Sequence, residues 1–203
     1  MPMTAKSTKK SSSARAEIPV RAFRDAASWE VWLEKNQTAT DGIWMRIAKK
    51  ASGKKSITYP EALEVALCYG WIDGLKRPES KTTWLQKFTP RRARSIWSQI
   101  NRDKALALIE NGRMKLAGLA EIERAKKNGC WDSAYASSSS ATMTPELEAA
   151  LTKSPRARAF FETLSRTNRY AILWRVQTAK KAETKTKRIQ AFISMLEKGE
   201  TVH

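Results

Sequence analysis

The side chains best suited to binding chemistry gather in one stretch in the first half of the chain. Trp71, Asp73, Arg91, Arg92, Ser95, Trp97, Ser98 and Asn101 bring together indoles, a carboxylate, guanidinium groups, hydroxyls and an amide. Indole and guanidinium groups dominate recognition surfaces because a rigid ring and a planar fork lose little freedom per contact. Asp73 closely follows an apolar run, so its carboxylate needs a cation or backbone donors, and Arg91 or Arg92 is the candidate. Two outcomes satisfy that need. One is a polar pocket floored by indoles that accepts an anion. The other is an internal salt bridge tying a hairpin to the loop that follows it.

Ser95, Trp97, Ser98 and Asn101 stand at the entrance of a helix. Free N–H groups there attract an anion, and Ser98 or Asn101 would serve equally as a plain cap. A second constellation, Lys180, Lys181, Lys185, Lys187 and Arg188, precedes and opens the last helix. Lys181, Lys185 and Arg188 fall opposite the apolar stripe of Ile189, Phe192, Ile193 and Leu196. Such a basic face suits an acidic membrane surface, non-specific contact with nucleic acid or an acidic protein partner, and equally a solvated helix surface.

Several chemistries drop out. The only histidine is the terminal His203, which removes Ser-His and Cys-His nucleophiles and the commonest general base. No metal-ligand spacing, phosphate loop or dinucleotide fingerprint is present. No catalytic residue, metal or cofactor is therefore assigned. Acid–base work by Asp73 beside an arginine or serine is what remains for an enzyme. Cys68 lies inside Val65-Ala66-Leu67-Cys68-Tyr69, where burial raises a thiol's pKa and makes it inert.

Stepping outward, the elements that must hold these groups follow from periodicity and caps. Residues 1–22 read as a flexible basic arm, with order beginning near Phe23. Asp25 caps a helix carrying Trp29, Trp32 and Leu33, and Ile43, Met45 and Ile47 alternate as a strand. Thr58 to Glu61 forms a capping box, and Gly70 suits the left-handed position after that helix. Two extended runs, Trp71–Lys76 and Thr82–Phe88, read as a hairpin pairing with the 43–49 strand into a small antiparallel sheet. Beyond Pro90 the pattern is helical. Residues 23–135 make an α+β domain, 136–144 a linker around Ser137–Ser140, and 145–203 a helical C-terminal region. The fold class is α+β: a small antiparallel sheet with flanking helices, followed by a helical C-terminal half.

The formal charge of +18 on 203 residues is spread along the whole chain. That argues for general attraction to anions over a dedicated groove reader. Two cysteines fit reduced thiols. No export signal and no apolar run long enough to span a bilayer is present, so a cytoplasmic location is expected. Composition leaves the oligomeric state open.

In order along the chain, Ala66-Leu67-Cys68-Tyr69-Gly70-Trp71-Ile72-Asp73-Gly74, Phe88-Thr89-Pro90-Arg91-Arg92 and Ser95-Ile96-Trp97-Ser98 through Asn101 resemble the YdeI/OmpD-associated family, also called OmdA-like or bacteriocin-protection. So do Gly112-Arg113-Met114, Ala117-Gly118-Leu119, Gly129-Cys130-Trp131 and the closing Ala179–Arg188 stretch. The resemblance implies tolerance of bacteriocins or antimicrobial peptides and association with an outer-membrane porin. It carries no established reaction and no catalytic residues. The reading that follows is a non-enzymatic cytoplasmic binding protein of this type, with a Trp/Arg site for an anionic ligand or acidic partner. A nucleic-acid-associated basic protein and an enzyme using Asp73 are the alternatives.

Overall fold

The computed structural model describes residues 17–38 and 41–203. Chain order is β1 (Val20–Ala22), α1 (Ala26–Asn36), β2 (Ile43–Ala48), a short 3-10 turn at Lys50–Ser52, α2 (Tyr59–Cys68), β3 (Trp71–Pro78), β4 (Thr83–Pro90), α3 (Gln99–Glu110) and α4 (Leu116–Lys127). Four further helices complete it: α5 (Pro145–Lys153), α6 (Pro155–Thr163), α7 (Arg166–Gln177) and α8 (Ala182–Glu197). The class is α+β, with a helical C-terminal half.

The caps that define these ends are the ones the side chains dictate. Asp25 accepts from the Ser28 amide and Thr58 from Glu61, each closing a reciprocal box that satisfies otherwise orphaned helix donors. Thr144, Ser154 and Ser165 cap α5, α6 and α7 by accepting from the amides of Leu147, Ala157 and Asn168.

The sheet order is β1-β2-β4-β3. The β2–β4 and β3–β4 pairs are antiparallel, but β1 runs parallel to β2, so the sheet is mixed rather than purely antiparallel. Order also begins before Phe23, because Val20–Ala22 is already strand. Residues 1–16 of the expected arm lie outside the described residues. β1 escapes a pattern-based reading for a physical reason: three exposed residues have no apolar alternation to betray them.

Register puts Ile43, Met45, Ile47 and Phe88 on one face, where α1 and α2 cover them with Trp29, Leu33, Ala62 and Val65. A second core is separate: Leu147, Leu151, Phe161, Ile172, Phe192 and Leu196 pack α5–α8 together. Between the two, residues 136–144 are anchored. Tyr170 donates its hydroxyl to the Ala136 carbonyl at 3.0 Å, and the Ala136 amide donates to Gln177 Oε1 at 3.4 Å. No described helix is long and apolar enough to cross a membrane.

Candidate functional site

Arg91 is the centre of what the structure builds from the 71–101 stretch. It leaves the end of β4, and its backbone N–H donates to the Gly70 carbonyl at 2.9 Å. Gly70 has φ of 71°, the left-handed region, and a Cβ there would strike the Ala117 carbonyl and the Glu121 side chain. Only glycine turns the chain tightly enough from α2 into β3 at this contact. Arg124 adds a donor to the Arg91 carbonyl at 3.1 Å, so the main chain is pinned from two sides.

The Arg91 side chain is 5% exposed. Its guanidinium carbon lies 3.5 Å from the centroid of the Trp97 ring, and Nη1 donates to the Ile96 carbonyl at 3.3 Å. Nε and Nη2 are buried with no partner. Burial pushes the guanidinium pKa down to about 10, against the attraction of Glu121 and Asp73. It is still a cation at neutral pH. Glu121, the first of those carboxylates, is bound by Arg124. Trp97 in turn stacks edge-on against Trp131 at 4.8 Å.

Asp73 is half-buried on the helix-covered side of β3. The expected ion pair with Arg91 or Arg92 does not form among the described residues. Instead Asp73 accepts from the Tyr59 hydroxyl at 2.9 Å, because α2 begins directly over that end of the sheet. Burial, and then the Asp73 charge, raises the Tyr59 pKa, so this phenol stays a donor. Tyr135 belongs to the same neighbourhood. Burial first and Asp73 second raise its pKa, with a Ser98 hydrogen bond opposing them. Its backbone brackets the start of α3: Tyr135 N–H donates to the Trp97 carbonyl, and the Gln99 N–H to the Tyr135 carbonyl, both at 2.9 Å.

The structure thus brings together Arg91, Trp97, Ser98 and Asp73, and recruits Tyr59, Tyr135, Glu121 and Arg124. Ser98 is the N-cap of α3, accepting from the Asn101 amide at 3.1 Å, so Ser98 and Asn101 serve the helix end. Ser95 closes a turn by accepting from the Arg92 amide at 2.9 Å, while the Arg92 side chain is exposed. Trp71 is elsewhere. It is 1% exposed, edge-on to Trp29 and Trp32 at 5.9 Å each, and its indole N–H donates to the Gln37 carbonyl. The two indoles therefore do not share a concavity. The space beside Arg91, lined by Arg92, Ser95, Trp97, Glu121 and Arg124, is a dimple of about 10 Å³, room for about one water molecule.

The Lys180–Arg188 cluster is largely engaged. Lys185 pairs with Glu146 at 3.0 Å, Lys187 with Glu183 at 2.6 Å, Arg188 with the Arg175 carbonyl, and Lys180 with Cys130 Sγ at 3.1 Å. Cys68 and Cys130 are free and buried, and burial pushes the Cys68 thiol up. Among the described residues no group of three or more His, Cys, Asp or Glu could hold a metal ion.

Tyr59 carried only a helix-start signal in the sequence, and Tyr135, Glu121 and Arg124 carried none. Their role depends on α4 and the 131–136 segment folding back onto the β4–α3 loop.

Residues 140–199 match the family model described as Bacteriocin-protection, YdeI or OmpD-Associated. The helical C-terminal region is thus similar to that family. Residues 21–121, which hold most of the site, match instead a Domain of unknown function (DUF8412). Searches of curated proteins and of solved structures found no match to the chain.

Proposed function

We propose that this is a cytoplasmic, non-catalytic binding protein of the YdeI/OmpD-associated type, linked to bacteriocin or antimicrobial-peptide tolerance. Its anion-accepting site is Arg91. The observation that carries this reading is an arginine 5% exposed whose Nε and Nη2 are buried without a hydrogen-bond partner. Taking a cation out of water costs several kcal/mol unless an anion and hydrogen bonds repay it. The carboxylate that acts on it most strongly, Glu121, is already bound by Arg124.

The dimple of about 10 Å³ admits no more than a single oxygen-sized group as it stands. A carboxylate or phosphate reaches Arg91 when the exposed Arg92–Arg94 turn swings aside. Trp97 supplies the flat wall against which the guanidinium keeps its orientation. With a charge of +18 the protein repels cationic peptides, so tolerance runs through an anionic ligand or acidic partner rather than through capture of the peptide.

The test is calorimetric titration of the full chain with inorganic phosphate and with acetate at low ionic strength, for wild type and Arg91→Gln. Charge-assisted hydrogen bonds are worth roughly 1.5–3 kcal/mol each, so the substitution should weaken binding about tenfold or more. Survival of cells challenged with a cationic antimicrobial peptide should fall in parallel. Equal binding by the two proteins, or no binding by wild type, refutes the site.

A further inference from the structure

The face of the sheet turned away from α1 and α2 carries a different kind of surface. Cross-strand pairing places Val20, Trp44, Lys87, Arg46, Leu85 and Arg77 on it. Trp44 is its middle. Val20, 41% exposed, neighbours it on β1, and Lys87 neighbours it on β4. The Arg77 guanidinium lies over the indole, 4.2 Å from the ring centroid. Arg46 is neutralised by a two-pronged bond to Glu79, with distances of 2.6 to 2.9 Å, and so adds little charge. Leu85 is 3% exposed, so it adds no open apolar surface to the face.

What this surface offers is flat and cationic. A guanidinium plane stacked on an indole presents a π-surface with positive charge, the combination on which unpaired bases stack. The sequence that precedes β1 is also basic. The Trp44 amide donates to the Pro19 carbonyl at 2.9 Å, so the chain preceding β1 joins the sheet beside Trp44. Residues 1–16 contain Lys6, Lys9, Lys10 and Arg15 and no acid.

We propose that this sheet face binds single-stranded nucleic acid, one base stacking on the Arg77–Trp44 pair and a flanking phosphate meeting Lys87. A duplex fits poorly, because its base faces are hidden in the stack and cannot lie on the Arg77–Trp44 pair. An acidic protein would find charge, but the buried Leu85 offers its apolar side chains no anchor. This surface is distinct from the Arg91 site, and either reading stands without the other.

The experiment is fluorescence anisotropy of a labelled oligothymidylate of about 15 nucleotides, a length on the scale of such sites, with the full chain. A duplex of equal length is the control, and salt runs from about 50 to about 200 mM. The single strand should bind about tenfold more tightly than the duplex, with affinity falling linearly in log salt. Arg77→Ala, an exposed position whose loss leaves the core intact, should weaken single-strand binding by about tenfold, the value of one stacked base. Trp44→Ala should do the same, and Lys185→Ala with Lys187→Ala should leave binding within about twofold, since both are already paired. No binding at the lowest salt overturns the proposal. So does duplex binding as tight as single-strand binding, or single-strand binding untouched by Arg77→Ala.

Discussion

Replacing Arg91 by methionine should make the ligand-free protein more stable, not less. Burial lowers the guanidinium pKa by between two and three units, to about 10. At about 1.4 kcal/mol per unit, keeping the folded side chain charged costs about 3 kcal/mol. Because the folded pKa of this base lies below its unfolded value, the penalty applies in full at neutral pH and lifts only as pH rises above about 10. Methionine removes that penalty. It also forfeits the 3.3 Å bond to the Ile96 carbonyl, worth about 1 kcal/mol, and the stack on Trp97, worth about another. A thioether against the same indole restores part of the contact. The net expectation is a gain of about 1 kcal/mol, which for a chain of this size is a Tm increase of about 2–4 °C.

The assay is thermal and urea unfolding of both proteins in a buffer free of phosphate and carboxylates. Adding phosphate at about a hundred times its dissociation constant should then raise wild-type stability by about 2.7 kcal/mol and reverse the order of the two proteins. If Arg91→Met instead loses more than about 2 kcal/mol without anion, the guanidinium is already satisfied within the fold, and the argument for a missing partner fails.

Two further outcomes test the framework that holds the site. Gly118 lies in α4 where an added Cβ would meet the Cys68 carbonyl, Met114 Sδ and, at 2.8 Å, the Leu67 carbonyl. Gly118→Ala should therefore lower stability by about 2 kcal/mol, although the same change in an open helix adds about 1 kcal/mol. A melting temperature equal to or above wild type would show that α4 does not approach α2 so closely. Leu147→Ala opens a cavity at a fully buried position of the second core and should cost about 3 kcal/mol. Since Trp174 is the only tryptophan after residue 135, far-UV circular dichroism should begin to change at lower urea than tryptophan fluorescence. Coincident transitions would mean that the two cores unfold as one.

Local chemistry was readable from the letters wherever a single element decides it. Thr58 followed by Glu61 specified a helix start, alternation in Ile43, Met45 and Ile47 specified a buried strand face, and the 71–88 hairpin followed from its turn residues. What escaped depends on which way distant segments fold. Trp71 and Trp97 look like partners at a spacing of some twenty-five residues, yet strand parity aims Trp71 at α1. Trp97 lies beyond Pro90, where Arg91 and the segment around Trp131 and Tyr135 meet it. Asp73 likewise chose a phenol over a guanidinium because α2 starts above it, a fact of packing rather than of neighbouring sequence. A spacing rule cannot report which of two faces a residue will share with something folded in later.

The position of Tyr135 ties the two cores to the site. Its backbone holds Trp97 and Gln99 on one side, and its ring meets Trp174 of α7 edge-on at 6.0 Å on the other. The next residue, Ala136, is held by Gln177 and Tyr170 of the same helix. Trp97 is also the ring that keeps the Arg91 guanidinium in place. Any movement of Trp97 would therefore pull on Tyr135, and through it on Trp174 of α7, which lies within the residues matched by the YdeI/OmpD-associated family model. Close-packed interiors do not absorb such a shift by gradual deformation. The contacts of Tyr135 and Ala136 thus join the loop that holds Trp97 to α7 of the second core.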